Sequence, residues 1–315
     1  MTGIAPPRLA VLLATCNGAA WLRPQLDSLV AQSLRPDLIV VSDDGSTDGT
    51  ETILDEFLIQ HPDLPVTRIA GPRQGAAANF LSLIKRAPEG VDRLSFADQD
   101  DVWLPGKLER AMARLDAFDA EDAATPALYC SRIMVCDRDL VRRRPSRLPP
   151  RAPSFRNALT QNIATGNTIV LNAAATRLVR AAAGRTGDLI VHDWWLYQIV
   201  TGGGGRILLD VEPQTLYRQH GANLIGANSG IVARGRRLAQ LWSGVYGRWN
   251  TVNLAALMAV RDLLTPENAA LVEAFAAARD AGPWGRVAAI RRLGLYRQGH
   301  AGQASLYAAA ALGKF

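Results

Sequence analysis

Leu94-Ser95-Phe96-Ala97-Asp98-Gln99-Asp100-Asp101-Val102-Trp103 is an apolar run that stops abruptly in three carboxylates within four residues, followed by a valine and an aromatic. Residues 94–97 read as a buried strand. Residues two apart on an extended segment point the same way, so Asp98 and Asp100 face one point while Gln99 turns aside. Like charges held together at a strand end repel unless a cation sits between them. Carboxylate oxygens suit Mg²⁺ or Mn²⁺, and a Mg²⁺ held by one or two carboxylates completes its shell with waters and substrate phosphates. The cluster therefore predicts a metal–diphosphate site. An acidic turn capping a helix that starts near Pro105 fits the same residues.

Upstream, the pattern is strand and helix in alternation. Arg8-Leu9-Ala10-Val11-Leu12-Leu13-Ala14 is a continuous apolar run of the kind found in a central parallel strand, and it ends in the polar turn Thr15-Cys16-Asn17-Gly18. Residues 19–32 place Leu22, Leu26, Leu29 and Val30 at helical spacing. Leu38-Ile39-Val40-Val41 is a second strand, ending in Ser42-Asp43-Asp44-Gly45-Ser46-Thr47-Asp48. A helix over 49–60, a strand over 65–70 and a helix over 76–86 lead to the strand at 93–97. These are βαβ units, and they predict an α/β fold with an open, mostly parallel sheet flanked by helices. In such sheets ligands bind beyond the carboxyl ends of the strands, where the polar clusters 15–17, 43–44 and 98–101 fall. No GxGxxG follows the first strand and no GxxxxGK[ST] occurs, which disfavours a dinucleotide fold and a P-loop.

Composition sets the outer limits. The 315 residues suffice for one large domain or a domain with an appendage. Net charge is +6, almost all of it from Arg, with Lys only at 85, 107 and 314. Such a charge admits nucleic acid, anionic lipid or phosphorylated partners. The acidic strand ends argue against nucleic acid, whose phosphates they would repel. No apolar run reaches the roughly 18–20 residues of a transmembrane helix, and the N-terminus lacks signal-peptide features. Cys16, Cys130 and Cys136 form no disulfide framework and no CxxC spacing. A cytoplasmic protein is expected.

Downstream, a helix is expected over 105–119, a strand over 127–135 and a mobile basic loop over 142–153. Thr165-Gly166-Asn167-Thr168 turns into a strand at 169–171, followed by a helix over 173–183. His192-Asp193-Trp194-Trp195-Leu196 sets an acid beside two indoles. Apolar walls raise a carboxylate's pKa, and indoles suit a sugar-binding surface; a helix N-cap with core tryptophans fits as well. Two strands, 207–210 and 214–218, end in Tyr217-Arg218-Gln219-His220-Gly221. Beyond about residue 231 the pattern turns helical, at 231–246, 251–264, 266–281 and 301–312. Arg residues alternate there with Trp242, Trp249, Trp284 and Tyr296. That pairing suits peripheral membrane contact, and equally helices packing on the rest of the chain or on another subunit.

Taken in order, Leu13-Ala14-Thr15-Cys16-Asn17-Gly18, Val41-Ser42-Asp43-Asp44-Gly45-Ser46-Thr47-Asp48 and Ala97-Asp98-Gln99-Asp100-Asp101-Val102-Trp103 resemble family 2 glycosyltransferases, the large inverting family with the GT-A fold. The resemblance is greatest to the bacterial rhamnosyltransferase-like branch. Asn167-Thr168, residues 192–195 and residues 217–221 match further motifs of that branch, with Ala97 replacing its usual Ser. The likeness covers about residues 8–225, which implies a GT-A domain over 1–225 and a C-terminal helical extension over 226–315.

The resemblance implies roles for the matching positions. Thr15, Asn17, Asp43, Asp44, Asn79, Asp98 and Gln99 would bind the nucleotide. Asp98 and Asp100, with His220, would hold Mg²⁺ or Mn²⁺. Asp193 would be the catalytic base. Asn167, Trp194, Trp195 and Arg218 would line the sugar or acceptor. Arg73-Gln74-Gly75 departs from the family's usual Asn-x-Gly. The expected reaction moves rhamnose from dTDP-rhamnose to a glycan or lipid-linked oligosaccharide. A UDP-hexose donor, or a noncatalytic protein that binds nucleotide-sugar or nucleic acid, is the alternative.

Overall fold

The computed structural model describes residues 8–220 and 244–315. Gly221 and most of the helix expected over 231–246 fall outside the described residues. Strand β1 (Leu9–Thr15), helix α1 (Leu22–Val30), β2 (Leu38–Asp43), α2 (Thr50–Gln60), β3 (Val66–Ala70), α3 (Ala76–Arg86) and β4 (Arg93–Asp98) follow the expected alternation. β3, β2, β1 and β4 lie side by side, all parallel. β5 (Val102–Trp103), α4 (Lys107–Asp122), β6 (Ala127–Cys136) and β7 (Arg143–Pro145) come next. Then come α5 (Phe155–Ala158), β8 (Val170–Leu171), α6 (Ala173–Ala183), α7 (His192–Gly202) and β9 (Arg206–Arg218). The full sheet runs β3-β2-β1-β4-β8-β6-β9-β5, with β7 paired on β6.

β1 shows why an unbroken apolar run makes a central strand. Leu9, Val11 and Leu13 point into one core with α1, α2 and α4. Ala10, Leu12 and Ala14 point into the other, with α3, α6 and α7. Both faces are buried, so neither needs polar residues. The C-terminal helices α8 (Val245–Met258), α9 (Pro266–Ala278), α10 (Pro283–Arg292) and α11 (His300–Ala311) follow β9. Their Leu257, Phe275, Ile290 and Leu306 extend the α3–α6–α7 core.

Three local expectations change. The basic stretch is not wholly irregular: Arg143, Arg144 and Pro145 form β7, antiparallel to the end of β6. Hydrophobic periodicity cannot reveal a strand whose three residues are all exposed. The two strands expected at 207–218 are one, β9, interrupted in its pairing with β6 between Asp210 and Thr215. Pro213 lies in that interruption, where a missing N–H costs no ladder bond. The helix expected over 251–264 starts earlier as α8, and a separate 3₁₀ turn spans Arg261–Leu263. α10 was not expected: Gly282, Pro283 and Gly285 obscure a start that Pro near N1 in fact favours.

Candidate active site

Parallel register sets three polar strand ends together. Thr15 of β1 pairs with Asp43 of β2, and Ala14 pairs with Asp98 of β4. Asp43 accepts hydrogen bonds from Thr15 Oγ1 (2.9 Å), Ser46 Oγ (2.6 Å), Ser46 N (2.7 Å) and Gly45 N (3.1 Å). Asn17 sits at φ 49° and its side-chain oxygen accepts from Thr47 N at 2.8 Å. Asp44 is buried and accepts from the backbone N–H groups of Arg73 (2.6 Å) and Gly75 (2.7 Å). The loop that departs from the family pattern is thus held by Asp44 through its backbone. Gly71 is needed beside it: a Cβ there would lie 2.8 Å from Asp43 O and from Asp44 Oδ1.

Asn79 and Gln99 brace this corner. Asn79 is buried and grips Ser42, donating to its carbonyl at 2.9 Å and accepting from its hydroxyl at 2.5 Å. Gln99 ties the ends of β1 and β4 by accepting from Cys16 N (2.8 Å) and donating to Cys16 O (2.9 Å). Together, residues 15–18, 43–47 and 73–75 form one hydrogen-bonded polar cluster at the strand ends.

The acidic corner adjoins it. The Asp98 carboxyl is pushed up to about 8, first by burial and then by the charges of Asp100 and Asp193. Asp100 Oδ2 lies 2.8 Å from His220 Nε2. The His220 ring stacks on Trp21, with centroids 5.1 Å apart and planes 11° from parallel. The Arg218 and Arg138 guanidinium groups lie 4.8 and 5.1 Å from the same indole. Arg218 Nε also donates to the Asp100 carbonyl at 3.0 Å. Trp21 and Arg138 escaped the sequence reading. Trp21 is an aromatic in the loop after a polar strand end, which is a usable signal; Arg138, among many arginines, gave none.

Asp193 lies in the first turn of α7, not at its N-cap, which is Val191. It accepts from Trp194 N (2.7 Å) and Gly166 N (3.2 Å), and Asn162 adds a side-chain bond. Burial pushes its carboxyl up to about 6, against the opposing pull of those bonds. Gly166 permits this approach, because a Cβ there would meet His192 Nε2 at 2.6 Å. His192 is itself buried against Phe80 and held down to about 3. Trp194 is buried and donates from Nε1 to Ala158 O at 2.6 Å, and Trp195 is 1% exposed. These two indoles pack inward in this structure.

One buried carboxylate links the corners. Asp101 is 0% exposed; it accepts from the Asn167 side-chain amide and, at 3.2 Å, from Arg218 N. Lys107, equally buried, acts on it by charge and lies 3.3 Å from the Trp103 ring centroid. Burial pushes the Asp101 carboxyl well up and the Lys107 ammonium well down. Asn167 is therefore engaged beneath the site, next to the Gly166 N–H that holds Asp193. Neither Asp101 nor Lys107 was singled out from the sequence for this role, since a fully buried Lys is rare.

Comparisons with known proteins bear on the family and the fold. The model of Glycosyl transferase family 2 matches residues 10–181. A Shigella flexneri protein described as dTDP-rhamnosyl transferase RfbG is 30% identical over 239 residues, covering 72% of this chain and 78% of that one. Among solved structures, S. aureus TarS 1-349 in complex with UDP-GlcNAc is similar, with a TM-score of 0.54 and 13% identity over 98% of this chain and 90% of that one. The mannosyltransferase PcManGT from Pyrobaculum calidifontis, in complex with GDP-Man and Mn²⁺, has a TM-score of 0.51 and 21% identity over 97% and 86%. Strand-end chemistry, sheet order and sequence similarity converge: the chain belongs to glycosyltransferase family 2 and has the GT-A fold.

Proposed function

We propose that this glycosyltransferase moves rhamnose from dTDP-rhamnose to a hydroxyl of a cell-surface polysaccharide or lipid-linked oligosaccharide, with inversion and with Asp193 as general base. The setting of Asp193 carries the reading. It is a partly buried carboxylate at a helix start, close enough to Asp98 for its charge to raise that group. A pKa near 6 leaves it ionised at neutral pH yet basic enough to take a proton. Asp193 accepts the proton of the acceptor hydroxyl as that oxygen attacks the anomeric carbon from the face opposite the diphosphate. The bond from that carbon to the diphosphate oxygen breaks, and its electron pair leaves with the diphosphate.

The donor set suits a hard divalent cation. His220 stands against Asp100, and the Asp98 carboxyl is raised first by burial and then by the charges of Asp100 and Asp193, which a cation would offset. Among the described residues no three His, Cys, Asp or Glu side chains close into a ready ligand cluster, so substrate phosphates would complete the shell. Asp98, Asp100 and His220 would hold Mg²⁺ or Mn²⁺, which when bound offsets charge on the leaving diphosphate. Thr15, Asn17, Asp43 and Asp44 shape the nucleotide recess, braced by Asn79 and Gln99. Arg218 stands over the acidic corner, where a diphosphate would lie.

Support for rhamnose comes from the relative described as a dTDP-rhamnosyl transferase. Calorimetry with dTDP, UDP and GDP, in Mn²⁺ and then in chelator, tests the reading. Binding of dTDP at least ~10-fold tighter than the other two, and weakened by chelator, is expected. Preference for UDP or GDP would overturn the rhamnose donor, and binding of none would overturn the reading as a whole.

A further inference from the structure

The net charge of the chain is segregated. Of 35 Lys and Arg and 29 Asp and Glu, residues 281–315 hold five basic residues (Arg286, Arg291, Arg292, Arg297 and Lys314) and no acidic one. That leaves 30 basic against 29 acidic in the other 280 residues, which are close to neutral. The segment forms α10 and α11, which pack on each other and are joined by a 2.8 Å bond from Arg286 Nε to Ala310 O.

Their outward surface is unusual for a solvated helix pair, whose exposed face normally carries charges of both signs. On α10, Trp284 is 85% exposed, and Arg291 lies seven residues on, on the same face. Arg292 is exposed beside it. On α11 the exposed positions are His300, Ala301, Ala304, Ala308 and Ala311, followed by Leu312 at 49% exposure. A large indole and a leucine face outward, Arg291 and Arg292 are exposed on the same helix pair, and residues 281–315 carry no acidic side chain.

We infer that the outer face of α10 and α11 docks on an anionic lipid bilayer. Arginines complement acidic headgroups, and an exposed indole is the side chain that settles at the headgroup level. No helix among the described residues is long and apolar enough to cross a membrane, so the contact is peripheral. A second copy of the chain would bring a like-charged face against this one, which opposes self-pairing. Nucleic acid would require cations along the α11 face, where alanines stand instead. The inference rests on charge distribution and exposure alone and is independent of the donor sugar.

Vesicle flotation at about 0.1 M salt tests it, using phosphatidylcholine alone and phosphatidylcholine with phosphatidylglycerol. The protein is expected to float with the anionic vesicles only, and to be released at 0.5 M salt. Arg291→Glu with Arg292→Glu is expected to lower the partition coefficient at least ~25-fold, and Trp284→Ala several-fold. Arg177→Glu, an exposed change on α6, is expected to leave it unchanged. Melting temperatures of all variants check folding. Failure to bind anionic vesicles at low salt, or equal binding by every variant, would overturn the proposal. So would a dimer that Trp284→Ala dissociates, or tighter binding to duplex RNA than to vesicles.

Discussion

Replacing Asp193 by Asn separates a catalytic base from a structural helix-start acid, because the two roles predict different pH dependences of stability. The carboxyl is pushed from 3.8 to about 6, chiefly by burial. The folded chain thus binds this proton more tightly than the unfolded one. The stabilisation from the bound proton is complete below about pH 4, declines as pH rises through about 6, and is absent above. At pH 8 the ionised group therefore costs the fold up to ~3 kcal/mol, from about two pK units at ~1.4 kcal/mol each. Its favourable interaction with the α7 N-terminus is worth only ~0.3–1 kcal/mol. Asn cannot ionise, but it has one acceptor oxygen where Asp193 has two, so it serves either the Trp194 N–H on Oδ1 or the Gly166 N–H on Oδ2 and leaves the other without its acceptor, at a cost of ~1–3 kcal/mol at every pH. Asp193→Asn is expected to lower kcat ~10²–10⁴-fold, equal to ~2.7–5.5 kcal/mol of barrier, while its stability relative to wild type rises by up to ~3 kcal/mol between pH 4 and pH 8. At pH 4, where the carboxyl is largely protonated in the wild type as well, the lost acceptor leaves the variant the less stable of the two. Wild-type kcat/KM should rise with pH through about 6, and the variant should lack that limb. Nucleoside diphosphate release and calorimetric melting measure both effects. Undiminished turnover, or lost turnover with the same difference in Tm from wild type at pH 4 and pH 8, would refute the reasoning.

Four further substitutions probe the other corners. Asp100→Ala should abolish the Mn²⁺-dependent part of nucleotide affinity in calorimetry; equal affinity with and without the substitution would remove Asp100 from the metal role. Asp101→Ala leaves the Asn167 amide and Arg218 N without their shared acceptor and Lys107 without its nearby carboxylate, and should cost ~3–5 kcal/mol in urea denaturation. Gly71→Ala puts a methyl group 2.8 Å from Asp43 O, so a loss of ~1–3 kcal/mol and weaker nucleotide binding are expected by the same two assays. Thr15→Val should change nucleotide Kd less than ~3-fold, since Thr15 is 2% exposed and its hydroxyl faces Asp43; a tenfold loss would make Thr15 a direct ligand.

The parallel half of the sheet was legible because burial on both faces writes itself as unbroken apolar runs. Residues 9–14, 38–41 and 94–97 have no other use in a globular chain. The strand ends followed, since polar residues directly after such runs must lie at the sheet's rim. The second half was less legible. β5 has two residues, β7 three exposed ones, and β9 joins two runs across an interruption that reads locally as a turn. Pairing with β6 holds β7 and β9 in the sheet and pairing with β9 holds β5, and no window of sequence contains those pairings. Trp21 and Arg138 are likewise joined to His220 and Arg218 only by the return of β9 to the rim.

Within the site, a polar residue at a strand end has two possible uses that composition cannot separate: it meets a ligand, or it satisfies its neighbours. Counting lone pairs separates them. Asp43 accepts four hydrogen bonds, which fills a carboxylate. Two come from backbone N–H groups that cannot leave without unwinding the loop. The Ser46 hydroxyl is held from its other side by Asn17 N at 2.8 Å. Only the Thr15 hydroxyl can turn away, so a donor on an incoming nucleotide can reach Asp43 in the place that Thr15 now occupies. Asp101, Asn79 and Gln99 are engaged on their neighbours, and their side chains act on a ligand through the elements they hold. Asp98, with a pKa near 8, and Asp193, near 6, are different. Each is an acid whose ionised form its surroundings disfavour, and that leaves the first apt for a cation and the second for a proton.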